Sequence, residues 1–170
     1  MNTLDYKKQF VENLKETGEY WLNYENKGKE KVLNGALFST LVLIDGDSGA
    51  NDFHTLSLID TKLGKEVTCG YLHEYLSPDL AGQNQFVEDL KSIRDFWINS
   101  PDISIQQALE GMLTYVCEYL AGQFELNEYT TFEVVEYIDD DKFVKWDCSN
   151  LHEIYTELQD ITKLNKGDLN

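Results

Sequence analysis

Apolar residues recur along this chain at intervals of three and four over long stretches and at intervals of two over short ones, and the two kinds of stretch follow each other in a fixed order. Positions 33, 36, 37, 40, 41 and 44 trace one face of a helix. The β-branched Val42 and Ile44 would let Ala36 to Ile44 pass for a buried strand. The same phase returns at 109, 112, 113, 116, 117 and 120, where Glu118 interrupts the apolar run, and this predicts helix for both segments. Alternation then takes over. His54, Leu56 and Leu58 are interleaved with Thr55 and Ser57, and Phe132 to Ile138 is rich in strand formers, so 53–60 and 132–138 are expected to be extended. A turn follows each, at Asp60 to Lys65 with Gly64 and at Asp139 to Asp141, and then a second short strand, at 66–69 and at 142–146. Both stretches close on C-x-x-L-H-E, with Cys69, His73 and Glu74 in one and Cys148, His152 and Glu153 in the other.

This recurrence is carried by residue identity as well as by pattern. Gln9 to Asn23 aligned with Gln85 to Asn99 is identical at eight of fifteen positions, and at the same offset Leu33, Gly35, Leu37 and Gly46 fall on Leu109, Gly111, Leu113 and Gly122. With ordinary residue frequencies of roughly 6% per match, about one identity in fifteen would arise by chance. The expected fold class is therefore α+β, a tandem duplication of a helix-helix-strand-strand-helix unit packed as a pseudo-dimer. The first repeat spans 1–78, the second 79–162, and a polar tail 163–170, together forming one globular body. Alone, each half of about 80 residues would be a marginal folder. Ser77-Pro78-Asp79 and Ser100-Pro101-Asp102 predict helix starts, with a hydroxyl cap before proline, and Asn150 with Glu153 predicts a capping box. Trp21, Trp97, Tyr20, Phe96, Phe10 and Phe86 lie at helical spacing and are expected in the core or between the repeats.

Composition adds charge to this picture. The chain has 170 residues, is 42% hydrophobic and carries a net charge of −17. Residues 1–80 hold 8 Lys or Arg against 13 Asp or Glu and residues 81–170 hold 6 against 18, so the halves carry −5 and −12. Such a field repels nucleic acid and anionic lipid and draws basic surfaces. It also serves solubility alone. The sharper expectation is a basic protein partner met by Glu125, Glu128, Glu133, Glu136, Asp139, Asp140 and Asp141. No apolar run approaches the roughly 20 residues that span a bilayer, the start lacks a signal-peptide core, and three cysteines do not suit a disulfide framework. A cytoplasmic protein is expected, either a monomer with internal pseudo-symmetry or a homodimer.

Two constellations offer chemistry. Cys69, His73, Cys148 and His152 would converge on a zinc ion if the halves meet about a two-fold axis, although the spacing departs from common zinc pairs. Asp45, Asp47, Asp52 and His54 crowd a loop where carboxylates would hold magnesium or calcium and a histidine would act as base, with His73 as a further candidate; the same residue types also make tight turns, and the calcium-loop spacing is not met. The tetrapeptide Gly46-Asp-Ser-Gly49 matches a serine-protease nucleophile motif in a chain too short and too helical for that fold. There is no phosphate-binding glycine loop and no dinucleotide fingerprint. The leading functional expectation is a non-enzymatic acidic protein that binds another protein without a cofactor, as an immunity or inhibitor protein does. A metal-dependent hydrolase and a structural zinc protein are the alternatives.

The stretch Leu37 to Gly46, read as F-S-x-L-x-x-x-D-G from Phe38, followed by Leu72-His73-Glu74, resembles small uncharacterised bacterial proteins that carry a domain of unknown function. The resemblance covers one repeat. It implies a bacterial or phage origin and no particular activity. Thr114, Tyr115 and Ala121 stand in the second repeat where Phe38, Ser39 and Asp45 stand in the first.

Overall fold

Asn2 opens the first helix with a capping box, its side chain accepting from the Asp5 amide while the Asp5 carboxylate accepts from the Asn2 amide, and α1 then runs Thr3–Leu22. A computed structural model of the chain describes residues 2–23, 28–46, 55–67, 71–124, 131–139 and 141–167. The second helix, α2 (Lys29–Asp45), carries the face read from the sequence: Leu33, Ala36, Leu37, Leu41 and Ile44 are all buried. Thr40, which interrupts that face, satisfies its hydroxyl on the Ala36 carbonyl at 2.7 Å. Gly46 ends the helix at φ 80°, a left-handed cap that residues with a Cβ rarely adopt.

The remaining elements keep the expected order. They are β1 (Thr55–Asp60), β2 (Lys65–Glu66), a 3-10 segment at Leu72–Leu76, α3 (Gln85–Ile98), α4 (Ile105–Leu120), β3 (Phe132–Asp139), β4 (Lys142–Asp147) and α5 (Leu151–Gly167). The fold is α+β: among the described residues there are five α-helices and a four-stranded antiparallel sheet in the order β2-β1-β3-β4. Each hairpin is local, β1 with β2 and β3 with β4, and the sheet is joined at its middle by β1 and β3, where Leu58 stands opposite Val134. Leu56, Leu58, Phe132, Val134 and Trp146 share one face and are buried. α2 packs against β1 and α1 against β4, while α4 lies among α1, α2, α3 and α5.

Two helix pairs close in the same way. A Cβ built on Gly35 would lie 2.5 Å from the ring of Trp21, and one on Gly111 would meet the ring of Trp97 as closely, so each tryptophan lies directly on a glycine of the next helix. Gln9 donates to Asn13 at 3.1 Å in α1, and Gln85 donates to Asp89 at 2.8 Å in α3.

Several local expectations are corrected. Pro101 starts no helix: residues 101–102 form a turn with Asp102 at φ 60°, and Ser104 caps α4 instead, in a capping box with Gln107. Pro78 begins only a three-residue 3-10 turn without a side-chain cap, and Asn84 caps α3. A proline fixes one φ angle, but the hydrophobic face decides where a helix begins. Asn150 adopts φ 53°, and its side-chain oxygen accepts from Lys7 Nζ at 3.0 Å instead of completing a capping box. Tyr20 and Phe96 are 56% and 54% exposed, unlike Phe10 and Phe86, because they fall off the buried face of their helices. The stretch from 163, expected as tail, continues α5 as helix to Gly167.

Candidate functional site

Asp45 is the last residue of α2, where the helix dipole disfavours a negative charge. Its side chain is nonetheless fully buried. The compensation comes from the 3-10 segment 27 residues on: the amide of Leu72 donates to Oδ1 at 2.9 Å, the amide of His73 to Oδ2 at 3.2 Å, and His73 Nδ1 lies 2.7 Å from the same oxygen. A carboxylate so placed caps the start of the 3-10 turn from outside and fixes the imidazole with Nδ1–H towards the acid. Nε2 is the ring nitrogen left outside this contact, on a side chain 22% exposed. The Phe38 ring meets His73 edge to face at a centroid distance of 5.6 Å.

Phe38 leads from this pair into a shallow groove between α1 and α2. The groove has a volume of about 340 Å³ and is lined by Glu16, Tyr20, Phe38, Ser39 and Val42, with Asn13 and Thr17 on the α1 side. Ser39 accepts from Trp21 Nε1 at 2.9 Å, which ties the groove lining to the tryptophan on Gly35. In the sequence Phe38 stands out only as part of a resemblance motif, and Tyr20 is expected in the core or between the repeats. Their exposure depends on the packing angle of two helices.

The residues expected to hold magnesium fare differently. Asp47, Asp52 and His54 lie outside the described residues, while Asp45 spends both oxygens on residues 72 and 73. Of the zinc candidates, Cys69 lies outside the described residues and His73 is held by Asp45. Cys148 is fully buried, and desolvation pushes its thiol well above the usual range. His152 Nδ1 is buried without a hydrogen-bond partner among the described residues, and its Nε2 lies 3.9 Å from Glu153. Among the described residues no group of three or more His, Cys, Asp or Glu side chains is placed to hold a metal.

The acidic segment is also divided. Glu125, Glu128 and Asp140 lie outside the described residues, and of Asp139 only the backbone, at the end of β3, is described. Asp141 is exposed in the hairpin turn and Glu133 is half-buried. Glu136 is a correction: strand alternation puts it on the core face with Val134, where its carboxylate accepts from Trp146 Nε1 at 3.1 Å. It is a buried anchor and cannot belong to an exposed acidic face.

Exposed carboxylates gather elsewhere, on the helical side. Glu12, Glu16 and Glu19 of α1 and Glu153, Glu157 and Asp160 of α5 are exposed on two helices that pack together. Lys15, between them, reaches the Leu158 carbonyl at 3.5 Å and Glu19 at 3.9 Å. At the far end of α1 the buried Lys7 binds Asp147 at 3.3 Å and Asn150 at 3.0 Å, joining the helix to the β4–α5 corner. The Asp147 carboxyl is held below its usual range, chiefly by the Ser149 hydroxyl and with help from the Ser149 amide and Lys7. No described helix is long and apolar enough to cross a membrane. Comparison with known proteins assigns no family: no family model, no curated protein and no solved structure matches the chain.

Proposed function

We propose that this chain is a non-enzymatic acidic protein that acts by binding a basic protein, in the manner of an immunity or inhibitor protein, and that it is built from two copies of one unit packed as a pseudo-dimer. The duplication is supported by the sheet register: in the central strand pair Leu58 stands opposite Val134, the residue 76 positions later, as a two-fold axis between copies would require. It is supported again by the two tryptophan-on-glycine contacts and the paired Gln9–Asn13 and Gln85–Asp89 bonds.

The observation that carries the binding reading is the surface of exposed carboxylates on adjacent α1 and α5, within a chain of net charge −17. A field of this kind accelerates encounter with a cationic partner and falls off with salt. Cross-linking in the native host followed by purification is expected to yield one basic protein at fixed stoichiometry. Its affinity should drop by roughly tenfold or more between 50 and 500 mM salt. A partner bound with no salt dependence would sink the reading.

The Asp45–His73 pair favours a second reading, in which His73 Nε2 serves as general base of a hydrolase. A hydrolytic activity that His73→Gln abolishes, while partner binding persists, would select it.

A further inference from the structure

We propose that the groove between α1 and α2 receives an arginine side chain of the basic partner, an inference that rests on the binding reading above and names the contact within it. Ser39 lines the groove together with Tyr20 and Phe38, which are 56% and 46% accessible. The residue 76 positions after Ser39 is Tyr115, and those after Tyr20 and Trp21 are Phe96 and Trp97. In that second helix pair Tyr115 stacks on Phe96 at 5.7 Å with 25° between the planes, and meets Trp97 at 5.0 Å and Phe124 at 4.9 Å edge to face. A planar side chain of the protein itself therefore lies against the exposed ring of α3. At the corresponding place beside Tyr20, Ser39 leaves open volume.

The geometry calls for a flat group, since it is a plane that stacks beside the ring in the second pair. The charge selects which flat group. Glu16 lines the groove, Glu12 and Glu19 are exposed on the same helix, and among the described residues no lysine or arginine lines it. A guanidinium is planar, stacks on aromatic faces and donates in a fork to a carboxylate, whereas an ammonium is tetrahedral and has neither a plane to stack nor a fork to offer. The Asp45–His73 pair then acts as a support. It holds the imidazole whose edge-to-face contact braces Phe38.

The test is a titration of isotope-labelled full-length protein, followed by NMR in 20 mM salt, with two blocked peptides that differ only in carrying three arginines or three lysines. The arginine peptide is expected to shift the resonances of Glu16, Tyr20, Phe38 and Ser39 and to bind at least threefold tighter than the lysine peptide. Phe38→Ala should weaken it roughly five- to tenfold. Ser39→Tyr should do the same by filling the groove as Tyr115 fills its own, with the fold verified by an otherwise unchanged spectrum. Phe143→Ala, which removes an exposed ring on β4, should have no effect. Shifts that map elsewhere and are indifferent to Phe38→Ala and Ser39→Tyr overturn the groove and leave the basic-partner reading standing. Equal binding of the two peptides overturns the arginine assignment. Failure of both peptides to bind overturns the groove and the reading beneath it together.

Discussion

At position 89 the chain buries a carboxylate, and the surrounding residues answer it: Tyr119 donates its hydroxyl to Asp89 at 2.7 Å and Gln85 its amide at 2.8 Å. Burial, then the bond to Asp89, raises the Tyr119 hydroxyl far above its ordinary range. Seventy-six residues earlier the corresponding positions hold Asn13 and Leu43, both buried, so an acid with a phenol in one place stands where an amide with an aliphatic chain stands in the other. The two choices at each site are coupled, because a buried carboxylate without its donor is costly and a buried amide is less so. Tyr119→Leu is expected to cost about 3 kcal/mol, and adding Asp89→Asn to recover about 1 kcal/mol or more of that. Urea unfolding of the four proteins in a double-mutant cycle measures it, and strict additivity would refute the coupling. Asp45 shows what a residue-level reading cannot reach. Its acidity and its place beside glycine are visible in the sequence, but they suggest a loop ligand, since the donors that claim it belong to Leu72 and His73.

Each pair of helices is closed by a tryptophan lying on a glycine, and this fixes how near α1 approaches α2 and α3 approaches α4. Gly35→Ala and Gly111→Ala should each destabilise by roughly 1–3 kcal/mol, because a methyl group would have to displace an indole that is itself packed. Thermal melts followed by tryptophan fluorescence would detect it, and a neutral Gly111→Ala would mean that Trp97 is free to move. Trp97 has one reason to be the looser of the two: its Nε1 is buried without a partner among the described residues, whereas Trp21 donates to Ser39. Helices and strands are largely legible from period, with α2 decided by its counterpart at 109–120, since faces such as Leu33-Ala36-Leu37 and alternations such as Phe132-Val134 directly state which side is wet. Helix starts are not. Proline after serine marks a turn as readily as a first turn of helix, and at Ser100-Pro101 the apolar face begins only at Ile105. The groove was illegible for a related reason, because Tyr20 and Phe38 share a helical spacing with core residues and their exposure follows from packing.

Over the whole molecule, stability should be level between about pH 5 and 9 and fall on both sides. Asp147 titrates below its ordinary 3.8 in the folded chain, so the stability it contributes is present above that value and is lost as pH falls through the lower folded value. Tyr119 and Tyr155 are raised from 10.0, mainly by burial, so their contribution is present below 10.0 and is lost as pH rises above it. Melting temperatures across pH should show a flatter acid limb for Asp147→Asn and a flatter alkaline limb for Tyr155→Phe. Unchanged limbs would mean that other groups set both. The sheet that these groups surround is closed through its middle, by β1 against β3, while each hairpin is made from near neighbours. A ribosome therefore releases β1 and β2 with one flank of the sheet open, and that flank stays open until Phe132 to Tyr137 have emerged and can pair with Asp60 to Thr55. During that interval the exposed edge of β1 is a docking place for another nascent copy, so crowded translation should favour exchanged dimers in which each sheet is completed by its neighbour's second hairpin.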